Sequence, residues 1–317
     1  MRALVTGAAG HIGTWVVRTL QEAGWTVLGI DQKPCEDGVE SLRLDVRDAN
    51  RVAQAARGMD AIFHLAMQHT QHLRGDAAEA ALRDVAIGGL ESVVEAARLH
   101  RARLVLTSTA ATVGDARDPR RPPNEEAWNT TPLTPYTKAK IAAEQRLWEF
   151  EGLDAVAVLP GMTIGPDDPH GGEANARVLQ MMRSARLPVA FEGGLNVADV
   201  RDIARGHVLA AEKGKPGQRY LLGGTNLTFK ELWTAVRQVR GMGKARFTVP
   251  RAPLVAGVGL YERALRFAGQ RPLVTREQLS GRIGTYAYVD DTRARRELGH
   301  TSRPLDQTLR DLATWSR

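Results

Sequence analysis

Short apolar runs with little alternation punctuate the first half of the chain, at residues 2 to 6, 26 to 31, 60 to 65, 102 to 108 and 154 to 159. Such runs predict strands covered on both faces. Between them, Trp15 to Ala23, Asn50 to Arg57, Ile87 to Leu99 and Tyr136 to Glu151 repeat their apolar positions at helical spacing. Regular alternation of strand and helix predicts right-handed crossovers and a parallel sheet with helices on both faces. The expected class is α/β, a doubly wound (Rossmann) sheet that binds ligands beyond the carboxyl ends of its strands.

After Gly165-Pro166 the pattern loosens into Gly- and Pro-containing loops, with helices expected near 174–185, 201–212, 228–240 and 253–267. We therefore divide the chain into a sheet domain, 1–165, and a smaller C-terminal domain, 166–317, that caps the substrate. The segment from Val197 to Glu212 reads as a strand edge running into a helix, so a stretch near 197–225 is expected to rejoin the first domain. Asp290 to Trp315 carries two helical patterns divided by Gly299 and Pro304, and is expected to pack on the capping half.

Composition narrows the setting. With 317 residues, 43% hydrophobic and 25% charged, the chain has room for a full core and an ordinary globular composition. The opening residues lack the basic leader and apolar middle of an export signal. No stretch approaches the roughly 18 apolar residues that span a bilayer, and the single cysteine, Cys35, has no partner in the chain. A reducing cytoplasm is expected, with no membrane association. The net charge of +7 is spread over scattered arginines, not gathered into a tail, so it reads as solvated surface and not as a nucleic-acid site.

Thr6-Gly7-Ala8-Ala9-Gly10-His11-Ile12-Gly13 follows the first strand and opens the first helix. Backbone amides there, together with the helix dipole, favour a pyrophosphate. Gly7 permits a tight turn, Gly10 lets the backbone approach phosphate, and Gly13 lets the helix sit close. A glycine pattern alone is a weak signal, but Asp31 ends the second strand about 20 residues on, where a carboxylate accepts from ribose hydroxyls and repels a 2′-phosphate. NAD is the expected cofactor; NADP is disfavoured by Asp31, although Lys33 softens the repulsion. Gln32, Asp45-Val46 and Leu65-Ala66 fall along the same dinucleotide path if the sheet is wound this way.

Tyr136 and Lys140 are four apart in a helical stretch, so both side chains emerge on one face. An ammonium near a phenol stabilises phenolate and pulls its pKa down from about 10. Removing hydride from an alcohol carbon requires the hydroxyl proton to leave as well, which such a phenol can accept. Thr109, at the end of Leu104-Val105-Leu106-Thr107-Ser108-Thr109, can hold the substrate oxygen from the other side, with Ser108 as its rival. Alone, a Tyr-x-x-x-Lys pair reads as an exposed helix pair; the upstream glycine loop and acidic strand end turn the reading toward catalysis.

With these motifs in hand, and with His64-Leu65-Ala66 and Pro160-Gly161-Met162-Thr163-Ile164-Gly165-Pro166, the chain resembles the extended short-chain dehydrogenase/reductases. That family includes nucleotide-sugar epimerases, dehydratases and dihydroflavonol-reductase-like enzymes. The resemblance implies Thr109, Tyr136 and Lys140 as the catalytic set, with Lys140 also binding the nicotinamide ribose. It implies Thr107, Pro160, Met162 and Thr163 as cofactor neighbours, and a homodimer formed through helices. The chain departs from the family at Thr109, Ala139 and Leu159, where serine, serine and arginine are commoner, and at Ala86, where the family often has asparagine.

Phe191 to Val197 contains no arginine to grip a diphosphate, and Asp199 to Ala204 and Tyr220 to Gly224 look closer to reductase-like members. The expected reaction is hydride transfer between nicotinamide and a secondary alcohol, ketone or aldehyde of a small molecule. Alternatives are an epimerase or dehydratase working through a transient ketone, and a non-catalytic NAD(P) sensor, against which Tyr136 and Lys140 argue. Gln68, His69, Ala110 and Ala111 are candidate substrate neighbours. His64, His69 and His72 invite a metal site, since His-x-x-His can supply two ligands, but no carboxylate or cysteine stands at ligand spacing as a third, so no metal is expected.

Overall fold

The computed structural model describes residues 1–36, 38–67, 76–183, 189–243, 247–249 and 284–316, with four isolated positions between 257 and 263. The expected helix at 253–267 lies almost wholly outside the described residues. Each apolar run becomes a strand: β1 (Arg2–Thr6), β2 (Thr26–Asp31), β4 (Ala61–His64), β5 (Arg103–Thr107) and β6 (Ala155–Pro160). A three-residue strand, β3 (Ser41–Arg43), and a later one, β10 (Arg219–Leu222), complete a seven-stranded sheet in the order β10-β6-β5-β4-β1-β2-β3. Every pairing in it is parallel.

Side-chain parity explains why these strands do not alternate between apolar and polar. Leu4, Ile62 and Leu104 are register partners that face α3 (Asp76–His100) and α4 (Pro135–Trp148), packing with Leu90, Val93, Ala143 and Leu147. Val5, Phe63 and Val105 face the other way, toward Val16, Val17 and Leu20 of α1 (His11–Glu22) and Ile203 and Val208 of α6 (Val200–Lys213). Two buried faces leave no solvent side, so the middle of each strand is apolar on both faces, with polar residues kept to the strand ends. A shorter helix, α2 (Ala49–Ala55), closes the first face, capped by the Asp48 side chain. Helix α3 begins well before the predicted Ile87, because the Ala- and Glu-rich stretch 76–81 has high helix propensity without a clear apolar stripe.

The second sheet is built round β9 (Gly194–Asp199). It pairs antiparallel with β11 (Thr225–Thr228) and parallel with β7 (Met162–Ile164) and β13 (Tyr286–Ala287). β8 (Val189–Phe191) and β12 (Phe247–Val249) form a separate pair. α5 (Glu173–Arg183), α7 (Phe229–Val239) and α8 (Leu305–Trp315) pack together through Val178, Leu232, Val236, Leu309 and Leu312. β9 runs directly into α6, which lies on the large sheet, and β10 follows in that sheet. The C-terminal segment divides: α8 packs on the later elements, but Ala294 and Leu298, in a π-helical turn, join Val156 and Tyr220 on the large sheet instead. The expectation that the whole segment packs on the capping half is corrected accordingly. Among the described residues no helix is long and apolar enough to cross a membrane.

Two buried histidines tie the large sheet together. His64 Nδ1 is 2.8 Å from the Thr6 hydroxyl of the adjacent strand. His207, on α6, has Nδ1 2.8 Å from the Ile203 carbonyl, which can only accept, so its Nε2 accepts from the Thr107 hydroxyl at 2.9 Å. Burial holds both rings neutral, pushing His64 down to about 3 and His207 down to about 4.

A Cβ at Gly13 would lie 2.0 Å from the Gly7 carbonyl oxygen, a main-chain atom that cannot move aside cheaply. Gly13→Ala should therefore destabilise the fold by roughly 1–3 kcal/mol, the usual overpacking range, and lower Tm in a thermal scan. Acid should weaken the fold through the histidines. Both folded values lie below the ordinary 6.5, so the unfolded chain takes up protons first as pH falls, and stability present above pH 6.5 is lost from there down toward about 4 for His207 and about 3 for His64. Each ring contributes a slope of up to about 1.4 kcal/mol per pH unit. Urea titrations between pH 7 and 5 should show His207→Gln with a shallower slope than the parent; equal slopes would refute the assignment.

Candidate active site

β1 and β4 are neighbours whose onward connections leave in opposite directions, which opens a crevice beyond their carboxyl ends. Gly7 turns there with φ 73°, and a Cβ would stand 2.7 Å from the Ala66 amide nitrogen. Only glycine tolerates both the left-handed turn and the contact with Leu65-Ala66. Gly10 caps α1 without a side-chain hydrogen bond, and the first turn carries no acidic residue. The amides that open α1 therefore meet no capping side chain, as in helix starts that receive an anion.

Asp31 ends β2 at the same edge. Its Oδ2 accepts from the Ala9 amide at 3.1 Å and its Oδ1 from the Lys33 amide at 2.9 Å, so the carboxylate is fastened to the glycine loop. Gln32 donates to Asp45 at 2.9 Å, and Asp45 also receives the Arg47 guanidinium, which holds its carboxyl below the usual range. Val46 is buried in the core beneath them. The His11 ring is turned to the Pro166 carbonyl, 3.1 Å from Nε2, and Trp15 donates to the same oxygen. Ile12 packs on the core, so the side chains of His11 and Ile12 are both engaged with other parts of the protein.

The end of β5 separates three adjacent hydroxyls. Thr107 gives its hydroxyl to His207 and its carbonyl to Lys140. Ser108, the expected rival of Thr109, is buried and donates to Glu144 Oε2 at 2.5 Å. Thr109 stays half-buried; its Oγ1 accepts from the Ala111 amide at 3.3 Å, which leaves the hydroxyl hydrogen to donate. Ala110 and Ala111 form a short 3-10 turn immediately beyond, against which α4 packs.

α4 opens with Pro135 and is capped by Thr134, which accepts from the Thr137 amide at 3.1 Å. That cap sets Tyr136 in the first turn and Lys140 in the second. Lys140 Nζ donates to the Thr107 carbonyl at 2.8 Å and lies 6.0 Å from the Tyr136 ring centre. Burial lowers Lys140 to about 8, opposed by the charge of Glu144. Burial also raises Tyr136 to about 12, the reverse of the expected depression, because desolvation outweighs an ammonium already turned to Thr107. Tyr136 nevertheless keeps 36% of its surface accessible.

Pro160 ends β6, and Met162 and Thr163 are half-buried on β7, with the Thr163 hydroxyl donating to the Gly161 carbonyl at 3.1 Å. The following loop is braced by buried Asn175, which donates to the Gly165 carbonyl at 2.9 Å and accepts from its amide at 3.0 Å. Gln68, His69 and His72 lie outside the described residues. Among those described, no three His, Cys, Asp or Glu side chains are grouped to hold a metal.

Sequence reasoning passed over Glu144 and Arg219. Both are buried, with Arg219 Nε donating to Glu144 Oε1 at 2.5 Å. Glu144 sits one further turn along the Tyr136–Lys140 face, a spacing visible in the sequence; its partner, on β10, is not marked by any spacing.

The model of the NAD dependent epimerase/dehydratase family matches residues 3–223. A putative dihydroflavonol 4-reductase of Synechocystis sp. is 29% identical over 98% of this chain and 93% of its own length. Cinnamoyl-CoA reductase 1 of Arabidopsis thaliana is 32% identical, with 69% of each chain covered. The crystal structure of gox2253 superposes with a TM-score of 0.83 at 27% identity, covering 99% of this chain and 97% of that one. The chain belongs to the NAD dependent epimerase/dehydratase family, among the extended short-chain dehydrogenase/reductases, enzymes that work with a nicotinamide cofactor.

Proposed function

We propose that the protein is an NAD-dependent reductase that interconverts a carbonyl and a secondary alcohol on a small organic substrate, with Thr109, Tyr136 and Lys140 as the catalytic residues. The observation that carries this reading is the bond from the Lys140 ammonium to the Thr107 carbonyl, which fixes a buried cation at the strand end bearing Thr109, one turn from Tyr136. The relatives that support reduction are themselves named as reductases, and one of them aligns over nearly the whole chain.

The residues present fit the cofactor. Gly7 leaves no room for any side chain at the turn, the start of α1 has no competing carboxylate, and Asp31 is anchored where a ribose would lie. When bound, nicotinamide supplies or accepts the hydride. Lys140 has two ammonium hydrogens beyond the one given to Thr107, and these hold ribose hydroxyls. Thr109 donates to the substrate oxygen and Tyr136 transfers the proton at that oxygen. A phenol near 12 is protonated at neutral pH, which suits it to deliver a proton to a carbonyl oxygen as hydride arrives at carbon. Leu65, Ala66, Pro160, Met162 and Thr163 border the cofactor, and Ala110 and Ala111 the substrate. The reading extends to a homodimer in the cytoplasm, supported by the family resemblance. An epimerase, the rival reading favoured by the family description, would show no net change in NADH with its substrate.

Tyr136→Phe is expected to lower kcat by roughly 10²–10⁴, the range for loss of a positioned proton donor, while calorimetry returns an NADH affinity close to the parent's. Wild-type turnover in that variant would remove Tyr136 from the mechanism. A carboxylate about 6 Å from a 2′-phosphate repels it by about 3 kcal/mol at an effective dielectric near 20. Asp31→Asn should therefore narrow the preference for NAD over NADP by roughly 10- to 100-fold in measured Kd values. An unchanged ratio would place the discrimination elsewhere.

A further inference from the structure

Glu144 is buried with none of its side chain exposed, four residues beyond Lys140 on α4. Its two oxygens are held at 2.5 Å by Arg219 Nε and at 2.5 Å by the Ser108 hydroxyl. Arg219 directs its other donors to the Glu125 carbonyl at 2.7 Å, the Ala127 carbonyl at 2.8 Å and the Thr112 hydroxyl at 3.0 Å. Its guanidinium carbon lies 3.8 Å from the centre of the Trp128 ring. Four pieces of chain therefore converge on one carboxylate: the end of β5, α4, β10 and the 112–128 loop.

A buried ion pair is a poor device for stability, since apolar residues of equal volume commonly serve as well or better. Its geometric effect is particular. The strand end that carries Thr109 and the helix that carries Tyr136 and Lys140 are spaced by the Ser108–Glu144 bond, and that bond is aimed by Arg219. We propose that Glu144 is a positioning residue: held at once by Ser108 and Arg219, its carboxylate sets Thr109 against Tyr136 and supplies the negative charge that keeps Lys140 a cation. The catalytic consequence rests on the roles given to Thr109, Tyr136 and Lys140 above; the effect on Lys140 itself does not.

The groups facing Lys140 are few. Tyr136 and Glu144 come from its own helix, neutral His64 from β4, the Thr107 carbonyl from β5, and neutral His207 from α6 behind Thr107. Arg219, from β10, stands beyond Glu144. Among these described groups Glu144 is the anion that opposes the desolvation of Lys140.

The test is an NMR titration of the full-length protein carrying lysine labelled at Cε, without cofactor, with the Lys140 signal identified by its loss in Lys140→Met. In the parent its midpoint should lie near 8. In Glu144→Gln it should fall by roughly one unit or more, and the alkaline limb of kcat against pH should fall with it. Glu144→Asp, which keeps the charge, should restore the midpoint without restoring kcat. The double variant E144Q/R219M leaves neither member of the Glu144–Arg219 pair buried without the other, so it provides a folded protein if the single variant does not; since Arg219 stands beyond Glu144, a smaller downward displacement of the midpoint should persist there. Ser108→Ala removes a tie and no charge; kcat should drop roughly tenfold with the midpoint unmoved. A Lys140 midpoint unchanged in folded Glu144→Gln or in the double variant overturns the electrostatic half of the proposal, and wild-type kcat in Ser108→Ala overturns the spacing half. A displaced midpoint with an unmoved rate profile would support the effect of Glu144 on Lys140 and count against the catalytic role of Lys140 instead.

Discussion

The hydrogen bond from the Lys140 ammonium to the Thr107 carbonyl joins a strand end and a helix face, the two parts of the molecule that the proposed chemistry requires together. A carbonyl at the carboxyl end of a parallel strand points along the sheet edge and has no further ladder partner, so it can accept a charged donor. The ammonium in turn loses much of its hydration, and one charge-assisted bond recovers only part of that loss. Everything nearby answers this constraint. Thr107 turns its hydroxyl to His207, Ser108 turns to Glu144, and Thr109 is left as the half-buried hydroxyl just past the strand end.

The dinucleotide crevice obeys a second constraint, steric in origin. Gly7 and Gly13 are pressed against main-chain atoms of the same turn and of the Leu65–Ala66 loop, so neither accepts a Cβ. Asp31 adds a polar fastening by receiving the Ala9 amide. The loop is consequently held from the strand side by packing and from the β2 side by hydrogen bonds to Ile30 and Asp31. A site assembled in this way has little to rearrange when ligand arrives.

Much of the architecture was legible because burial on two faces leaves continuous apolar runs, as in β5 and β6, that cannot be mistaken for half-exposed strands. β3 escaped notice because its side chains, Ser41 to Arg43, are all exposed at the sheet edge and leave no apolar signature. The candidate triad was visible in spacing and strand position. What could not be read was the choice between Ser108 and Thr109, which depends on which of two neighbouring side chains turns inward to Glu144. Nor could the upward displacement of Tyr136 be read, since it depends on how much protein surrounds the phenol and on where Lys140 directs its hydrogens. Arg219, one basic residue among many in the sequence, becomes distinctive only when β10 is placed beside β6 and its guanidinium meets a carboxylate 75 positions earlier.

The late arrival of β10 has a bearing on how the chain acquires its form. The strand that lies at one edge of the large sheet comes only after the chain has left for β7 and β9 and returned through α6. Until it emerges during synthesis, Glu144 has no cation beside it and the 112–128 loop has no anchor. The contacts that tie α4 and the 112–128 loop to β10 therefore belong to the later part of the chain, and they can form only once that part is present.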